Sequence, residues 1–385
     1  MRFIFLLFFV VPIICQSNFE EYKKKQKKEF DGSKDDFSKF EEYDIAQQVA
    51  YNKSFDSLYE DAIRKDKEAF ENYKREIEEL WENFQESTNK SYVEYSENKT
   101  EKVVIDFDNG KVEVEVLVDA NENSFEKGKE KLERATKKIV KIKDNQGESI
   151  LENQIVNSEN VNITKKNINE EVKLLVKKDS MKIKKDYKGA DNKKRVKYKI
   201  VIPLKKNHLA ERARKFEELV YKNAERFDLD PALVFAIIET ESAFNPKAKS
   251  HIPAYGLMQL VPKSGARDAY LYIYKKDRLI KKNYLYKPIN NIELGCAYLA
   301  KIRYVYFSDI NDDKKAFICT IPAYNTGIGN VAKTLTGTTK LKKASQVANN
   351  MSEKELYKKL VNDLQYKEAR DYLKRVIDRK KKYES

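Results

Sequence analysis

Apolar positions recur along the chain with two different periods. Phe55, Leu58, Tyr59, Ala62, Phe70, Tyr73, Ile77, Leu80, Trp81 and Phe84 follow helical spacing and predict one long amphipathic helix, or two in sequence. Trp81 lies on that stripe and reads as core rather than as a ligand site. The period then drops to two. Val103, Ile105 and Phe107 alternate with polar residues up to Asp108-Asn109-Gly110, and Val112, Val114, Val116 and Val118 alternate beyond it. Asn-Gly between alternating runs is a strong hairpin signal. A helix is expected around 123–143, and a strand where Val196, Tyr198, Ile200, Ile202 and Leu204 alternate. The Lys/Asn-rich stretch 145–195 predicts no definite element, and part of it reads as loop.

Beyond 208 the pattern is helical. Leu209, Ala213, Phe216, Val220, Ala224 and Phe227 form one stripe. Asp230-Pro231 then reads as an N-cap followed by proline at the first helical position. Leu233 to Ile238 are apolar without a break, as in a helix buried on all sides. Past 350, Leu356, Leu360, Leu364 and Tyr372 suggest further helices, and whether these pack on the preceding part is open. Six of the eight prolines and six of the eleven glycines lie from 208 onward, which marks a domain boundary near 205. The expected fold is α+β: a smaller N-terminal α+β domain (16–205) containing a β-hairpin, then a mostly helical domain (206–385).

Composition adds three constraints. The net charge of +14 makes an anionic partner plausible, whether nucleic acid, an anionic lipid surface or peptidoglycan. Lysine-rich solvated helix faces account for the same charge, and charge alone does not choose. Arg2 precedes an apolar run from Phe3 to Ile14, then Cys15. That run is shorter than the roughly 20 residues a membrane span needs, and it has the length of a signal-peptide core. A cysteine directly after it resembles a lipoprotein cleavage site, so residues 1–15 are expected to be an export signal with Cys15 as the lipidated residue. Ile14 departs from the small residue normal before that cysteine, and a plain secretory signal is the alternative. Export argues against nucleic acid as the partner. Cys296 and Cys319 lie in apolar helical sequence and read as buried free thiols, with a disulfide as the alternative. With two histidines and no CxxC, no metal site and no cofactor are expected.

The chemistry concentrates where the buried helix ends, at Glu239-Thr240-Glu241-Ser242-Ala243-Phe244-Asn245-Pro246. Pro246 is expected to stop the helix. Glu241 lies one turn beyond Ile237, on the same face, where poor solvation would raise its pKa and retain its proton. A protonated glutamic acid near neutral pH can protonate a glycosidic oxygen. A helix-end carboxylate bonded to backbone is the plain alternative. Glu239, two residues away, is expected to face solvent or cap the helix.

Residues 241–262 read ESAFNPKAKSHIPAYGLMQLVP, 291–300 read NIELGCAYLA, and 323–327 read AYNTG. This ordered series resembles the soluble lytic transglycosylase (SLT) family, a branch of the lysozyme-like superfamily. The resemblance is strong over 208–335 and weakest beyond 340. Over about 55–205 the hairpin and the strand leading into His208 look like the membrane-bound lytic murein transglycosylase C subgroup, whose members are lipoproteins. The resemblance implies a lysozyme-like catalytic domain acting on peptidoglycan glycan strands, in the periplasm and anchored to the outer membrane through Cys15. It implies Glu241 as the catalytic acid and base, Ser250 and Gln259 binding the sugar's polar groups, and Tyr324 hydrogen-bonding in the site with Asn325 holding the local backbone. Each of these has a plain alternative as a cap, a backbone partner or a core residue.

Ser264-Gly265, Val261, Pro322 and Thr326 depart from the family pattern, and Pro322 puts the placement of Tyr324 in doubt. The resemblance further implies non-hydrolytic cleavage between N-acetylmuramic acid and N-acetylglucosamine to a 1,6-anhydromuramoyl product. A goose-type lysozyme-like hydrolase and a non-catalytic peptidoglycan-binding scaffold are the alternatives. Tyr270, Tyr272, Tyr274, Tyr284 and Tyr286 either line a sugar groove or are core and surface aromatics.

Overall fold

The computed structural model describes residues 61, 64–65, 67–120, 123–157, 159–251 and 253–384. Residues 1–15, where an export signal ending at Cys15 is expected, and Phe55, Leu58, Tyr59 and Ala62 lie outside the described residues. Residues up to Arg75 form one unit, of which a helical stretch from 67 onward is described. Glu76–Ser385 form a second compact unit.

Five antiparallel strands build its sheet: β1 (Ser91–Tyr95), β2 (Glu101–Asp106), β3 (Lys111–Asp119), β4 (Lys182–Lys188) and β5 (Lys194–Pro203), in the order β1-β2-β3-β5-β4. Period-two patterning decides the faces. Val103, Ile105, Val112, Val114, Val116, Val118, Val196, Tyr198, Ile200 and Ile202 share one buried face. The amphipathic helix Ser124–Ile139 covers it with Leu132, Ala135 and Ile139. Trp81 is core, packed with Ile77, Leu117 and Tyr187, and its indole N–H donates to the Lys99 carbonyl at 2.6 Å.

The β2–β3 hairpin is present, but Asp106 pairs with Lys111, so Phe107 to Gly110 form a four-residue loop. The Phe107 N–H donates to the Lys90 carbonyl, 2.9 Å away, which continues the β1–β2 pairing by one residue. Gly110 alone of the four has positive φ (65°), and a Cβ there would lie 2.5 Å from His208 Nε2. The sequence pattern left β1 and β4 unseen. β4 reads KIKKDYK with six of seven residues exposed, so no apolar alternation marks it. A lysine-rich strand of that kind protects a sheet edge against further pairing. The 145–195 stretch also holds a short helix, Ile168–Leu175, seated through Ile168 and Val172.

The remainder is helical, as the pattern beyond 208 predicts. The first stripe divides into His208–Arg214 and Glu217–Arg226. Asp230 caps the next helix, Pro231–Ser242, by accepting the Ala232 N–H at 2.8 Å. Leu233 to Ile238 are buried without a break. That helix stops before Pro246, contrary to expectation. Ala243 (φ 49°) and Phe244 (φ 59°) turn left-handed, and the Ala243 N–H closes on the Glu239 carbonyl. Such a conformation costs a non-glycine residue about 1–2 kcal/mol. Tertiary bonds offset it: the Ala243 carbonyl accepts from buried Arg212 Nε at 2.9 Å.

The three C-terminal helices, Leu341–Asn350, Glu353–Asp363 and Lys367–Lys380, pack on this same core through Ala344, Leu356, Leu360, Tyr372, Leu373 and Val376. The compositional break at 205 falls inside the compact unit, and Arg212 ties its two sides. Its Nη1 donates to Gln154 Oε1 (2.7 Å), and its Nη2 donates to the Phe107 carbonyl (2.6 Å) and to His208 Nδ1 (3.1 Å). Burial, with Arg212 beside it, pushes the His208 pKa down to about 4, so the ring is neutral and able to accept.

Cys296 and Cys319 are free and buried. Burial pushes both thiols far up, Cys319 to about 12, and only a thiolate reacts readily. Peptides carrying these two cysteines are expected to stay unlabelled by iodoacetamide in native protein and to label fully in denaturant. Rapid native labelling read by mass spectrometry would contradict their placement. Among the described residues no helix is long and apolar enough to cross a membrane, and no cluster has the make-up of a metal site.

Candidate active site

Glu241 sits in the last turn of Pro231–Ser242, half-buried. Burial pushes its carboxyl from the ordinary 4.5 up to about 7. The Tyr372 hydroxyl opposes that by donating to Glu241 Oε1 at 2.7 Å. Charges from two other elements also act on it: Glu368 raises the pKa, while Arg375 and Lys90 lower it. A carboxyl poised near 7 can both give and accept a proton at neutral pH.

The helix end is held from the sheet side. Asn89 Nδ2 donates to the Glu241 carbonyl at 2.8 Å, which occupies one of the acceptors a helix leaves open at its C-terminus. Lys249 pairs with Glu86 at 2.8 Å beside it. Ser242 Oγ donates to the Leu257 carbonyl at 2.8 Å and so ties the helix to the turn that carries Gln259.

That turn is fixed by buried Asn291. Its Nδ2 donates to the Tyr255 (2.8 Å) and Leu285 (2.9 Å) carbonyls, and its Oδ1 accepts the Met258 N–H (2.7 Å). Gly256, at φ 77°, has to be glycine: a Cβ would sit 2.3 Å from the Leu285 carbonyl oxygen and 2.4 Å from Asn291 Nδ2. Gln259 follows at φ 47°, with Nε2 donating to the Gly256 carbonyl at 2.9 Å. Its Oε1 is buried and accepts no hydrogen bond within the protein. A buried acceptor left unpaired costs about 1–3 kcal/mol, so this oxygen suits a donor brought in by a ligand.

Tyr324 lies in the helix Asp313–Thr326, which continues through Pro322. Its hydroxyl donates to the Met258 carbonyl at 2.8 Å, and its ring lies 5.4 Å from that of Tyr298. Its pKa is raised well above the ordinary value by burial, with the Glu241 charge contributing, so Tyr324 stands within electrostatic reach of Glu241. Ser250 lies half-buried in the segment between Glu241 and Gln259, with its N–H on the Ala254 carbonyl. Asn325 is exposed. Near it, Asn330 Nδ2 donates to the Thr326 carbonyl at 2.7 Å.

Glu239 departs from expectation altogether. It is 2% exposed, and three groups from the C-terminal end hold its carboxylate: Arg379 Nε (2.9 Å), Lys382 Nζ (2.8 Å) and the Tyr383 hydroxyl (2.6 Å). The tyrosines of 270–286 pack largely on one another. Tyr270 lies 4.5 Å from Tyr274 and 6.5 Å from Tyr284, and Tyr286 lies 5.5 Å from Tyr255.

The site residues that sequence reasoning missed are Tyr372, Asn89 and Asn291. Tyr372 occupies an apolar position of a C-terminal helical stripe, and nothing in the pattern distinguishes its hydroxyl from a core ring. Asn89 and Asn291 act through backbone groups remote in sequence.

Residues 218–347 match the family model described as the transglycosylase SLT domain. The chain is 37% identical over 196 residues to membrane-bound lytic murein transglycosylase C of Klebsiella pneumoniae subsp. pneumoniae, covering 51% of this chain and 54% of that protein. It is 37% identical over 187 residues to the protein of that name from Haemophilus ducreyi, covering 48% and 49%. The chain thus spans about half the length of the curated relatives it matches. Among solved structures it resembles an inactive mutant of the lytic transglycosylase Slt from Pseudomonas aeruginosa (26% identity, 43% of this chain and 23% of that one, TM-score 0.32). It also resembles the 70 kDa soluble lytic transglycosylase of Escherichia coli (24% identity, 44% and 24%, TM-score 0.33).

Proposed function

We propose that this chain, which carries a transglycosylase SLT domain over residues 218–347, cleaves the glycan strands of peptidoglycan with Glu241 as its single acid and base. The observation that carries this reading is the Glu241 carboxyl itself, raised to about 7 by burial and bonded by the Tyr372 hydroxyl. In its protonated form Glu241 donates to the oxygen leaving between N-acetylmuramic acid and N-acetylglucosamine. The substrate's N-acetyl group stabilises the developing cation. The Glu241 carboxylate, its pKa now favouring proton uptake, withdraws the proton from the muramic 6-hydroxyl. That oxygen closes on the anomeric carbon, and the product is a 1,6-anhydro sugar. Tyr372 steadies the carboxylate between the two steps. Gln259 offers its unpaired oxygen to a sugar N–H or O–H, and Ser250 and Asn325 bind further polar groups.

Hydrolysis on the same fold would ordinarily call on a second carboxylate to activate water. Glu368, whose charge reaches Glu241, is 70% exposed and paired with Arg375 at 3.0 Å, so the proposal gives it no part as a second carboxylate. The proposal extends to location: export by residues 1–15, a lipid on Cys15, and action in the periplasm at the outer membrane. It extends also to organisation, with 16–205 and 206–385 as two domains, whose parts from Glu76 onward lie in one compact unit.

Release of soluble muropeptides from purified sacculi tests the activity. Wild-type protein is expected to release them, and binding without release would turn the reading to a scaffold. Tyr372→Phe tests the residue's part. Loss of the hydroxyl removes a bond that holds the Glu241 pKa down, so the pH at which the acid is lost rises. The alkaline limb of kcat is expected to move up by about half a unit to one unit, the equivalent of one hydrogen bond. An unmoved limb would contradict the role.

A further inference from the structure

Glu239 is a buried carboxylate, close to Glu241 in sequence, that the proposed reaction does not use. It lies two residues before Glu241, so its side chain leaves the helix toward a different side. Three groups from the last turn of Lys367–Lys380 and the residues just after it converge on its carboxylate: Arg379, Lys382 and Tyr383. Arg379 makes further contacts. Its Nη1 donates to Thr240 Oγ1 at 2.9 Å, and its Nη2 approaches Asp108 of the β2–β3 loop at 3.9 Å. Asp108 in turn pairs with Lys90 at 3.1 Å, next to the Asn89 that holds the Glu241 carbonyl. Lys380 pairs with Asp230, the cap of the Glu241 helix, at 2.7 Å. The Tyr383 ring stacks on Phe235 at 5.2 Å.

Arg379 and Tyr372 are seven residues apart, two turns of one helix, and therefore share a face. Arg379 meets Glu239 and Thr240, while Tyr372 meets Glu241. One rigid helix thus carries both the anchor and the hydroxyl that serves the acid.

We propose that Glu239, Arg379, Lys382 and Tyr383 form a clamp that holds the C-terminal helix in place and so keeps the Tyr372 hydroxyl on Glu241, which makes Glu239 and Arg379 positioning residues. The inference rests on Glu241 as the acid and base, but its test needs no substrate. Release of the clamp lets Tyr372 withdraw, and Glu241 loses the bond that lowers its pKa. The groups facing Glu241 are Tyr372, Glu368 and Arg375 of the C-terminal helix, Lys90 before β1, and Tyr324.

Direct electrostatics makes a contrary demand. Removing the negative charge of Glu239 alone would lower the Glu241 pKa, whereas removing the positive charge of Arg379 alone would raise it. Loss of the Tyr372 bond raises it in both cases.

The test is a carboxyl-carbon NMR titration of the full chain labelled at glutamate, kept soluble with detergent, with the Glu241 signal assigned by its loss in Glu241→Gln. Glu239→Gln and Arg379→Met are both expected to move the Glu241 titration upward by about half a unit or more, with no further move when Tyr372→Phe is added. Tyr383→Phe removes a single hydroxyl from the clamp and serves as the mild variant should either of the others fail to fold; its expected shift is smaller and in the same direction. Shifts of opposite sign, an unchanged titration, or a shift that adds fully to that of Tyr372→Phe would overturn the clamp. Digestion of sacculi by wild type beside Glu241→Gln answers separately for Glu241 as the acid.

Discussion

Glu241→Gln is expected to cut glycan cleavage by about a thousandfold or more while leaving the fold intact. General acid–base catalysis by one positioned group contributes about 10²–10⁴-fold, and here one carboxyl is assigned both halves of the proton transfer. The amide keeps the shape of the side chain and can still meet the Tyr372 hydroxyl, so packing is preserved. A second readout separates chemistry from damage. Burial holds the folded pKa near 7, above the ordinary 4.5, so ionising Glu241 opposes folding. That penalty is absent below about pH 4.5 and complete above about pH 7. Glutamine cannot ionise. The variant is therefore expected to melt above wild type at pH 8, with the gap closing toward pH 4. Cleavage within tenfold of wild type would remove Glu241 from the mechanism. A lower melting temperature at pH 8 would mean that the carboxyl is not desolvated as described.

Arg212→Met is expected to destabilise the unit by about 3 kcal/mol or more. Arg212 is 1% exposed and donates to two backbone carbonyls, Phe107 and Ala243, and to Gln154. Each buried acceptor left without its donor costs about 1–3 kcal/mol, and methionine fills the space without replacing any of the bonds. For a unit of this size the midpoint of thermal unfolding should drop by roughly 5 °C, read by circular dichroism. A fragment beginning at residue 206 removes Phe107, Gln154 and Asn89 together. It is expected to lose its cooperative transition and the Asn89 bond behind Glu241. A change under 2 °C for Arg212→Met, or a fragment that melts like the intact chain, would show that the sheet half does not support the helical half.

The two carboxylates at the helix end show what sequence can and cannot resolve. Glu241 was legible because an apolar helix carries it and because family motifs follow it. Glu239 was misread, since a two-residue offset says only that it points elsewhere, and its partners lie some 140 positions away in a charged tail with no motif of its own. The helix stop was placed at Pro246 by a local rule, yet a left-handed turn at Ala243 and Phe244, held by Arg212, ends the helix first. The hairpin was legible from alternation, whereas edge strand β4 was not, because lysines on both faces erase the period on which such reading depends. Elements that bury one face write themselves into the pattern. Contacts made by single polar atoms across the fold do not.

The most direct test of the central claim is digestion of purified peptidoglycan by this protein in ¹⁸O-labelled water, with products read by mass spectrometry. If Glu241 directs the muramic 6-hydroxyl onto the anomeric carbon, the new ends are anhydro sugars that carry no ¹⁸O. Ends heavier by one labelled water would contradict that course and make the protein a hydrolase.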